Sequence, residues 1–320
     1  MNTRKTVIAL IIVTVVSFAI GGIMLKSLYK LHEINDEKTL GIEDATNIQI
    51  HAINADVNII PSESGEIRTL LHGTFESSIK SNAAKLVMTR TGQNISIETK
   101  YPRIKFSVEE KENISLDVYV PKNYTNKLVL HGESGNAKIY DMNLKSFEFT
   151  TDSGNLFAGN VSSELKFKSE SGDLILYRNR GNVNADTGSG NIIVAYSIFQ
   201  NLVEAKTVSG KMILGFPVES CFDLGFKTES GKLNTDFLLK INSISKNPDE
   251  ILHGVHCSDT DAKSVGKIIF STISGDLDIK NTTVFTDMEL TDKGSEKDFL
   301  GCKMHETNES MGIICKLTWQ

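Results

Sequence analysis

Apolar and polar residues alternate along most of the chain after residue 45, and Ser-Gly pairs interrupt the alternation at regular intervals. Alternation with a period of two residues is typical of β-strands that bury one face. Each unit therefore predicts a strand, a Ser-Gly bend, a second strand and a second bend, for which Gly159 and Gly181 are candidates. Glycine permits backbone conformations that are closed to other residues. The glycines of the Ser-Gly pairs are Gly135, Gly154, Gly172, Gly190, Gly210, Gly231 and Gly275.

Equal offsets from these seven glycines hold equal kinds of residue. The positions seven and five before each glycine, and two and four after it, are apolar everywhere except at Thr235. A single unit of about 20 residues cannot bury its own apolar side, but stacked units can, and they form a solenoid. Thr or Ser stands three positions before six of the glycines, and we expect these hydroxyls to stack near the bend, where backbone groups need partners.

The pattern predicts an all-β fold, a single-stranded β-helix or solenoid. A β-sandwich also has alternating strands, but it does not explain why equal offsets hold equal residue types in seven units. With Ala55 in the place of the glycine, the segment around it fits the same template, so we set the repeat domain at residues 46–281. Residues 61–127 are less regular, with strand-like runs at Ile67–Leu71, Asn94–Glu98 and Ile114–Val120.

Two segments depart from the repeat. The interval between Gly231 and Gly275 contains a polar insertion at about 240–265, which we expect to be a loop bulging from one turn. Residues 282–320 form a C-terminal cap or tail. Its apolar side chains could cover the open end of the solenoid, and they are Ile313, Ile314, Leu317 and Trp319.

The N-terminus contains an uncharged apolar run of 20 residues, Thr6–Leu25. A helix of this length matches the hydrocarbon core of a bilayer, about 30 Å. We predict a transmembrane helix at 6–25, a short cytoplasmic N-terminus at 1–5 and a linker at 26–45. Arg4 and Lys5 favour a single-pass protein of the cell membrane, with its N-terminus inside and its C-terminal domain outside the cytoplasm. A cleaved signal peptide is the alternative.

The iterated phrase Ser-Gly-Asp/Asn-hydrophobic-x-hydrophobic resembles the DUF4097 family of adhesin-like, membrane-anchored envelope proteins. The resemblance covers roughly Thr46 to Asn281. Residues Ala55–Pro61 look like the family's entry strand, and Leu116–Pro121 looks like its strand that ends in proline. The resemblance implies a right-handed β-helix on the outside of a bacterium, and it carries over no catalytic residues. Lys211 and Lys232, which replace the usual Asp or Asn after glycine, depart from the family pattern.

Charge and composition exclude two classes of protein. The net charge of −6 argues against a nucleic-acid binder, which needs a dense basic surface. A hydrophobic fraction of 40% excludes general disorder. Calcium is a candidate ligand because Gly-Asp repeats bind it in some β-rolls. However, Lys211 and Lys232 would repel a cation from this column, so we interpret its Asn and Asp residues as turn-forming and predict no metal and no cofactor.

Four cysteines permit two disulfides outside the cytoplasm. The simplest pairing joins Cys302 to Cys315 in the tail and Cys221 to Cys257 at the insertion. A metal site is the alternative, but the spacing of its ligands matches no standard zinc pattern. The ligands in question are His253, His256, Cys257, Cys302 and His305.

Acidic and basic columns raise the possibility of a glycan-active enzyme of the β-helix type. Acidic residues stand two positions before four glycines and lysines four positions before three, at Glu133, Asp152, Glu170, Glu229, Lys168, Lys206 and Lys227. We interpret them as a solvated cross-strand ladder. The chain has no G-x-S-x-G, H-E-x-x-H or P-loop motif, so we predict a protein that is not an enzyme.

One apolar column is out of place. Three residues after the glycine a side chain should point outward, yet four consecutive units hold Phe157, Ile175, Ile193 and Ile213 there. We call these four residues the outer stripe. An exposed apolar stripe is normally covered or used. It is either buried under another part of the chain or a contact for a partner, which could be an envelope protein, a wall component or a second copy of the chain. We therefore predict a non-catalytic surface protein that acts in adhesion or in envelope stress.

Overall fold

The computed structural model describes residues 11–17, 30–77, 84–101, 112–245, 250–257, 265–281, 302–307 and 310–315. Residues 11–17 are helical, and β-strands make up most of the remainder. Within these ranges, no helix has both the length and the apolar character that crossing a membrane requires. The predicted span, residues 6–25, lies largely outside the described residues.

The N-terminal part of the fold contains the strands β1 (Lys30–Gly41), β2 (Asn47–Ala52), β3 (Asp56–Ser62), β4 (Glu66–Ser77), β5 (Lys85–Thr91), β6 (Asn94–Lys100) and β7 (Glu112–Pro121). The central part contains β8 (Lys127–Gly132), β9 (Ala137–Tyr140), β10 (Asn143–Thr150), β11 (Leu156–Gly159), β12 (Ser162–Ser169), β13 (Leu174–Asn179), β14 (Val183–Thr187), β15 (Ile192–Tyr196), β16 (Leu202–Thr207) and β17 (Met212–Phe216). The C-terminal part contains β18 (Phe222–Thr228), β19 (Leu233–Thr235), β20 (Lys240–Ser245), β21 (Glu250–His256), β22 (Gly266–Thr272), β23 (Leu277–Asn281), β24 (Cys302–Thr307) and β25 (Ser310–Cys315).

The strands form two large sheets and a separate hairpin. Sheet A has 11 strands in the order β1-β4-β7-β3-β9-β11-β13-β15-β17-β23-β19. Sheet B has 12 strands in the order β20-β21-β18-β22-β16-β14-β12-β10-β8-β2-β6-β5. The central coils of the chain each give one strand to each sheet, and strands of neighbouring coils pair in parallel. Strands β24 and β25 pair only with each other among the described strands.

Equivalent residues of neighbouring coils pair directly. Phe147 pairs with Leu128 on one side and with Leu165 on the other. Every predicted interior position is buried except Leu233 and Thr235, which lie on β19, the last strand of sheet A. The parallel pairing of one coil with the next confirms the all-β solenoid and excludes an antiparallel sandwich. The right-handed turn of the helix stays a prediction.

The order of the coils in space differs from their order in the sequence at the C-terminal end. Strand β22 pairs with β16 on one side and with β18 on the other, and β23 lies in the same way between β17 and β19. The last coil of the repeat is therefore inserted between the two coils that precede it in the sequence. The sequence pattern does not predict this order, because the Ser-Gly template is the same in all coils and does not specify neighbours.

At the N-terminal end, too, the order of the coils in space differs from their order in the sequence. The first coil, β2 and β3, lies between the coil of β6 and β7 and the coil of β8 and β9. Beyond it, β4 pairs antiparallel with β7, β1 with β4, and β5 with β6. The Oδ2 atom of Asp36 on β1 accepts a hydrogen bond from the backbone nitrogen of Leu86 on β5, at 3.0 Å. This contact joins the outer strands of the two sheets and closes the end of the core.

The insertion, predicted to be a loop, contains two strands. Strand β21 pairs antiparallel with β18, and β20 pairs with β21, so the insertion extends sheet B beyond β18. Its backbone carbonyl and amide groups are hydrogen-bonded within the sheet, whereas those of a loop would need other partners. The described part of the insertion thus lies at the solenoid end that the tail was expected to cap. The structure does not describe the side chains of the tail that were predicted to form this cap.

The seven glycines are required by close approach between coils. A Cβ atom on Gly210 would lie 1.8 Å from the carbonyl oxygen of Gly190, and one on Gly190 would lie 1.9 Å from that of Gly172. None of the seven has a positive φ, so the expected role in unusual backbone conformation is wrong for them. The space between stacked bends is too small for any side chain.

The Ser and Thr column satisfies backbone groups at these bends, as predicted. The backbone nitrogen of Gly210 donates to Oγ1 of Thr207 at 2.8 Å, and that hydroxyl donates to the carbonyl oxygen of Gly188 at 3.3 Å. At the second bend, Gly181 has a φ of 120° and fits the prediction. Gly159 does not, because it ends β11 and the next residue, Asn160, adopts the positive φ of 53°.

Candidate functional site

The Asn and Asp column after the glycines forms a ladder between coils. Oδ1 of Asn136 accepts hydrogen bonds from the backbone nitrogen and the Nδ2 atom of Asn155, at 3.1 and 3.0 Å. Oδ1 of Asn155 in turn accepts one from the backbone nitrogen of Asp173, at 2.8 Å. These oxygens bind backbone and amide groups of the next coil, which agrees with the turn-forming interpretation. Among the described residues, no group of three or more His, Cys, Asp or Glu side chains could hold a metal ion.

Lys211 stands where the family pattern has Asp or Asn after the glycine, and its contacts explain this departure. Its backbone nitrogen still takes its place in the ladder, donating to Oδ1 of Asn191 at 3.1 Å. Its Nζ atom lies 2.6 Å from Oδ2 of Asp278, whose Oδ1 accepts a hydrogen bond from Nδ2 of Asn234 at 2.8 Å. Burial opposes ionisation of Asp278, but the bonds from Lys211 and Asn234 outweigh it and hold the pKa of this carboxyl below its usual value.

The outer stripe lies on the outer face of sheet A and continues through four neighbouring strands. Phe157 pairs with Ile175, Ile175 with Ile193, and Ile193 with Ile213. Phe157 and Ile175 form a cluster with Ile193 and Tyr140, and this cluster is separate from the main core. The predicted outward position is therefore the one that the structure gives.

The outer stripe is nevertheless hardly accessible to solvent. Phe157, Ile175 and Ile213 are only 8, 7 and 6% exposed, and Ile193 is half-buried. Side chains on the outer face of a sheet are shielded on two sides by their neighbours, whereas their tips normally remain exposed. The burial favours the interpretation that another part of the chain covers the stripe.

An open depression of about 320 Å³ lies elsewhere, along the corner between sheet B and the Ser-Gly bends. We call it the corner groove. It crosses four neighbouring coils, in which β14, β16, β22 and β18 follow one another. The lining includes Val208 and Ile273, which are 52 and 47% exposed. Ser271 stands between Lys206 and Lys227 in register, and its short side chain forms the low point between two long ones.

The charged groups of the corner groove do not converge. Asp186 lies on β14 and Glu229 follows β18, so three strand spacings separate their backbone positions, roughly 14 Å. Lys206 lies between them on β16, and Lys227 lies on the same strand that Glu229 follows. The groove thus offers two aliphatic side chains with charged groups of both signs around them, a combination that suits contact with a surface.

Some residues of the corner groove could be singled out from the sequence, but the groove itself could not. Lys206, Lys227 and Glu229 stand in charged columns, which predict components of a ladder. Val208 and Ile273 were missed because they come into contact only through the inserted coil, although both stand two positions before a Ser-Gly glycine. That shared offset is the signal that could have found them.

Cys221 and Cys257 form a disulfide in the structure. The bond joins the start of β18 to the end of β21, next to a cluster of aromatic rings. Phe222 lies 5.3 Å from Phe237 between ring centroids, and His256 lies 4.9 Å from Phe237. The disulfide and the rings together hold the insertion against β18.

The alternative metal ligands are not brought together. His253 pairs with Gly225 and is exposed, whereas His256 packs against Phe222, because positions three apart on a strand point to opposite faces. Cys257 is part of the disulfide. In the hairpin, the backbone of Cys302 lies directly opposite Cys315. Their disulfide stays a prediction.

The solenoid part of the chain matches the model of a known protein family. Residues 45–280 match the family model of Toastrack DUF4097, and the chain belongs to this family. The match begins one residue before the predicted repeat domain and ends one residue before its predicted end. The chain matches no curated protein.

A comparison with solved structures finds low-identity matches to proteins of several bacteria. A "putative cell adhesion protein" from Clostridium sporogenes is 12% identical, with a TM-score of 0.33, and the match covers 79% of this chain and 100% of that one. A "putative adhesin" from Bacteroides fragilis is 9% identical, with a TM-score of 0.37, and the match covers 78% and 97%. Another "putative adhesin", from Parabacteroides merdae, is 12% identical, with a TM-score of 0.25, and the match covers 78% and 96%.

Proposed function

We propose that the protein is a non-catalytic binding protein of the bacterial cell envelope, which contacts an envelope protein or a wall component through the corner groove. The observation that carries this proposal is the pair of exposed aliphatic side chains, Val208 and Ile273, on a rigid ladder of paired strands. Exposed apolar groups on a fixed backbone lose little conformational freedom when they bind, and this favours affinity.

The membrane anchor belongs to the same proposal. Residues 6–25 would cross the membrane once, with the N-terminus inside and the solenoid outside the cytoplasm. The described part of this segment, residues 11–17, supports the proposal, because Ile11, Val13 and Val15 are each more than half exposed. Exposed apolar side chains on a helix are stable in lipid and unfavourable in water.

The groove is less suited to glycan hydrolysis, the alternative function. Glycosidases place their two catalytic carboxyl groups about 5–9.5 Å apart. Asp186 and Glu229 are roughly 14 Å apart in backbone position, and Lys206 stands between them. The alternating charges support binding of a mixed polar surface, and the net charge of −6 disfavours capture of strongly anionic wall polymers.

Co-sedimentation with purified bacterial cell walls tests this function. The full-length protein in detergent is mixed with wall fragments, and both the bound protein and the soluble sugar released are measured. We expect the protein to sediment with the walls and to release no sugar. Release of soluble glycan would instead support the enzymatic alternative, and failure to bind would contradict a wall ligand.

Two variants locate the contact. Ile273→Asp places a charge in the corner groove and should reduce binding at least severalfold. Ile53→Asp makes the same change in the same column at the other end of the solenoid, where Ile53 is also exposed, and should bind like the natural protein. Equal losses in the two variants would show that the groove is not the contact. Sedimentation velocity on the same samples shows whether the protein associates with itself.

A further inference from the structure

The corner groove is part of a longer edge of the solenoid, along which the Ser-Gly bends of neighbouring coils are stacked. The backbone nitrogen of Val208 donates to the carbonyl oxygen of Gly188 at 2.9 Å, and that of Ile273 donates to Val208 at 3.2 Å. The nitrogen of Glu229 donates in turn to Ile273, at 3.2 Å. The spatial order of this column is therefore Gly188, Val208, Ile273, Glu229, with the two exposed aliphatic residues in the middle.

A two-fold axis between the coils of Val208 and Ile273, perpendicular to the sheets, makes this column complementary to itself. A second copy of the chain that is turned about the axis has the same column in reverse. Val208 then faces Ile273 of the second copy, and Glu229 faces Gly188, which has no side chain to oppose it. A symmetric dimer uses one surface patch twice in this way, and here the contact shields both aliphatic side chains from water.

The charged column on the sheet B side of the bends matches under the same axis. Strand pairing gives it the spatial order Asp186, Lys206, Ser271, Lys227. Asp186 therefore stands opposite Lys227 of the second copy, and opposite charges meet at the rim of the contact. Lys206 stands opposite Ser271 of the second copy, the low point of the corner groove, so a long side chain meets a short one.

The column on the sheet A side has the spatial order Asn191, Lys211, Asp276, Lys232, fixed by hydrogen bonds between coils. Lys211 stands opposite Asp276 of the second copy, and Asn191 stands opposite Lys232. Lys211 already pairs with Asp278 in its own chain, and the second copy adds a further carboxylate near it. No two like charges face each other in any of these columns.

The charges also select this position of the axis. An axis through the coil of Val208 would place Lys211 opposite Lys211 of the second copy. An axis through the coil of Ile273 would place Lys206 opposite Lys227. Like charges that face each other disfavour a contact, so the axis between the two coils is the one that the surface favours.

We propose that the corner groove and its Ser-Gly edge bind a second copy of the chain, antiparallel to the first, about this two-fold axis. The inference rests on the proposed function, in which the corner groove is the contact surface, and it names the partner. The contact spans only four coils, so association in solution is weak. Confinement of both copies to one membrane raises their effective concentration and favours the dimer. A wall component would compete with the second copy for the groove.

Disulfide crosslinking in bacterial membranes tests the arrangement. Ser189→Cys is placed in one full-length copy and Ser230→Cys in a second copy with a different tag, and the membranes are oxidised with copper phenanthroline. Both serines are exposed, and their bends face each other across the axis, so we expect a crosslinked dimer that contains both tags.

Two copies of Ser189→Cys are the matched control. Three strand spacings, roughly 14 Å, separate these two positions in the dimer, and a disulfide needs Cα atoms within about 7 Å. The control should therefore give no more crosslinked dimer than the natural protein. Failure of the mixed pair to crosslink, or an equal yield from the control, would overturn the proposal.

Two further variants place the contact on the edge. Ile273→Asp in both copies brings charges close to the axis and should lower the yield of the mixed pair at least severalfold. Ile53→Asp lies outside the four coils and should leave the yield unchanged, and equal yields from the two variants would contradict the arrangement.

Wall co-sedimentation distinguishes this inference from the proposed function. Wall binding by a protein that gives no mixed crosslink would retain the function and reject the second copy. A mixed crosslink without wall binding would support the second copy and contradict a wall ligand.

Discussion

Gly275 lies directly against Gly210 in space, although Gly231 separates them in the order of Ser-Gly units. A Cβ atom on Gly275 would lie 2.0 Å from the carbonyl oxygen of Gly210, and one on Gly231 would lie 1.9 Å from that of Gly275. The contacts of these glycines therefore follow the same spatial order as the strand pairing. They show that the inserted coil is packed as tightly as the coils that follow one another in the sequence.

Replacement of Gly275 by alanine should destabilise the protein. The new methyl group would have to displace the backbone of the neighbouring coil, which costs roughly 1–3 kcal/mol by analogy with overpacked cores. Urea unfolding followed by circular dichroism measures the loss. Gly65→Ala is the control, because nothing lies within 4 Å of a Cβ atom there and its φ is not positive. Equal stability of the two variants would mean that the coil of β16 and β17 is not in contact with the coil of β22 and β23.

Thr207→Val should also lower the free energy of unfolding, by about 1–3 kcal/mol, because it removes the acceptor of a buried backbone hydrogen bond. The bond from the nitrogen of Gly210 to Oγ1 of Thr207 measures 2.8 Å. Thr207→Ser keeps the hydroxyl and should retain most of the stability, as Ser169 does at the equivalent position. Chemical denaturation of the three proteins distinguishes loss of the hydroxyl from loss of the methyl group.

Reduction of the Cys221–Cys257 disulfide should destabilise the C-terminal end of the solenoid. The bond closes a loop with a sequence separation of 36 residues, for which chain entropy predicts about 3–4 kcal/mol. Thermal unfolding with and without a thiol reductant measures the effect. The double variant Cys221→Ser, Cys257→Ser should unfold at the lower temperature in both conditions. A natural protein that is insensitive to reductant would contradict this expectation.

Asp278 should contribute to the dependence of stability on pH. Its pKa is lower in the folded protein than in the unfolded chain, so the unfolded state binds the proton more readily. Its contribution is therefore complete above the unfolded pKa, about 4, and is lost as the pH falls through the folded pKa. Asp278→Asn should show a smaller loss of stability between about pH 6 and pH 3 than the natural protein. Identical losses would mean that the interaction with Lys211 is not formed.

The interior of the solenoid could be predicted from the sequence because each unit repeats the same offsets. Phe147, Leu165 and their equivalents have one environment, a column of like neighbours, and this environment is encoded within a single unit. The order of the coils could not be predicted in the same way, because Gly231 and Gly275 lie in units with the same pattern. Which unit follows Gly210 depends on pairing along whole strands.

The outer surface was predictable only in part. Alternation placed the outer stripe correctly, since Phe157 lies between the interior residues Leu156 and Ala158. Its burial could not be predicted, because the offsets specify which side of the strand a residue takes and not what lies over that side. The corner groove was missed for a related reason, since Val208 and Ile273 become neighbours only through the insertion of the last coil.

The interleaved ends also determine how the molecule resists tension. In a solenoid stacked in chain order, a pull on one terminus detaches the end coil, one hydrogen bond after another along a free edge. Here the chain leaves the repeat at Asn281, from a coil whose strands β22 and β23 are paired along both edges. A force applied beyond Asn281 must draw out strands held on two sides, so the C-terminal end is mechanically clamped.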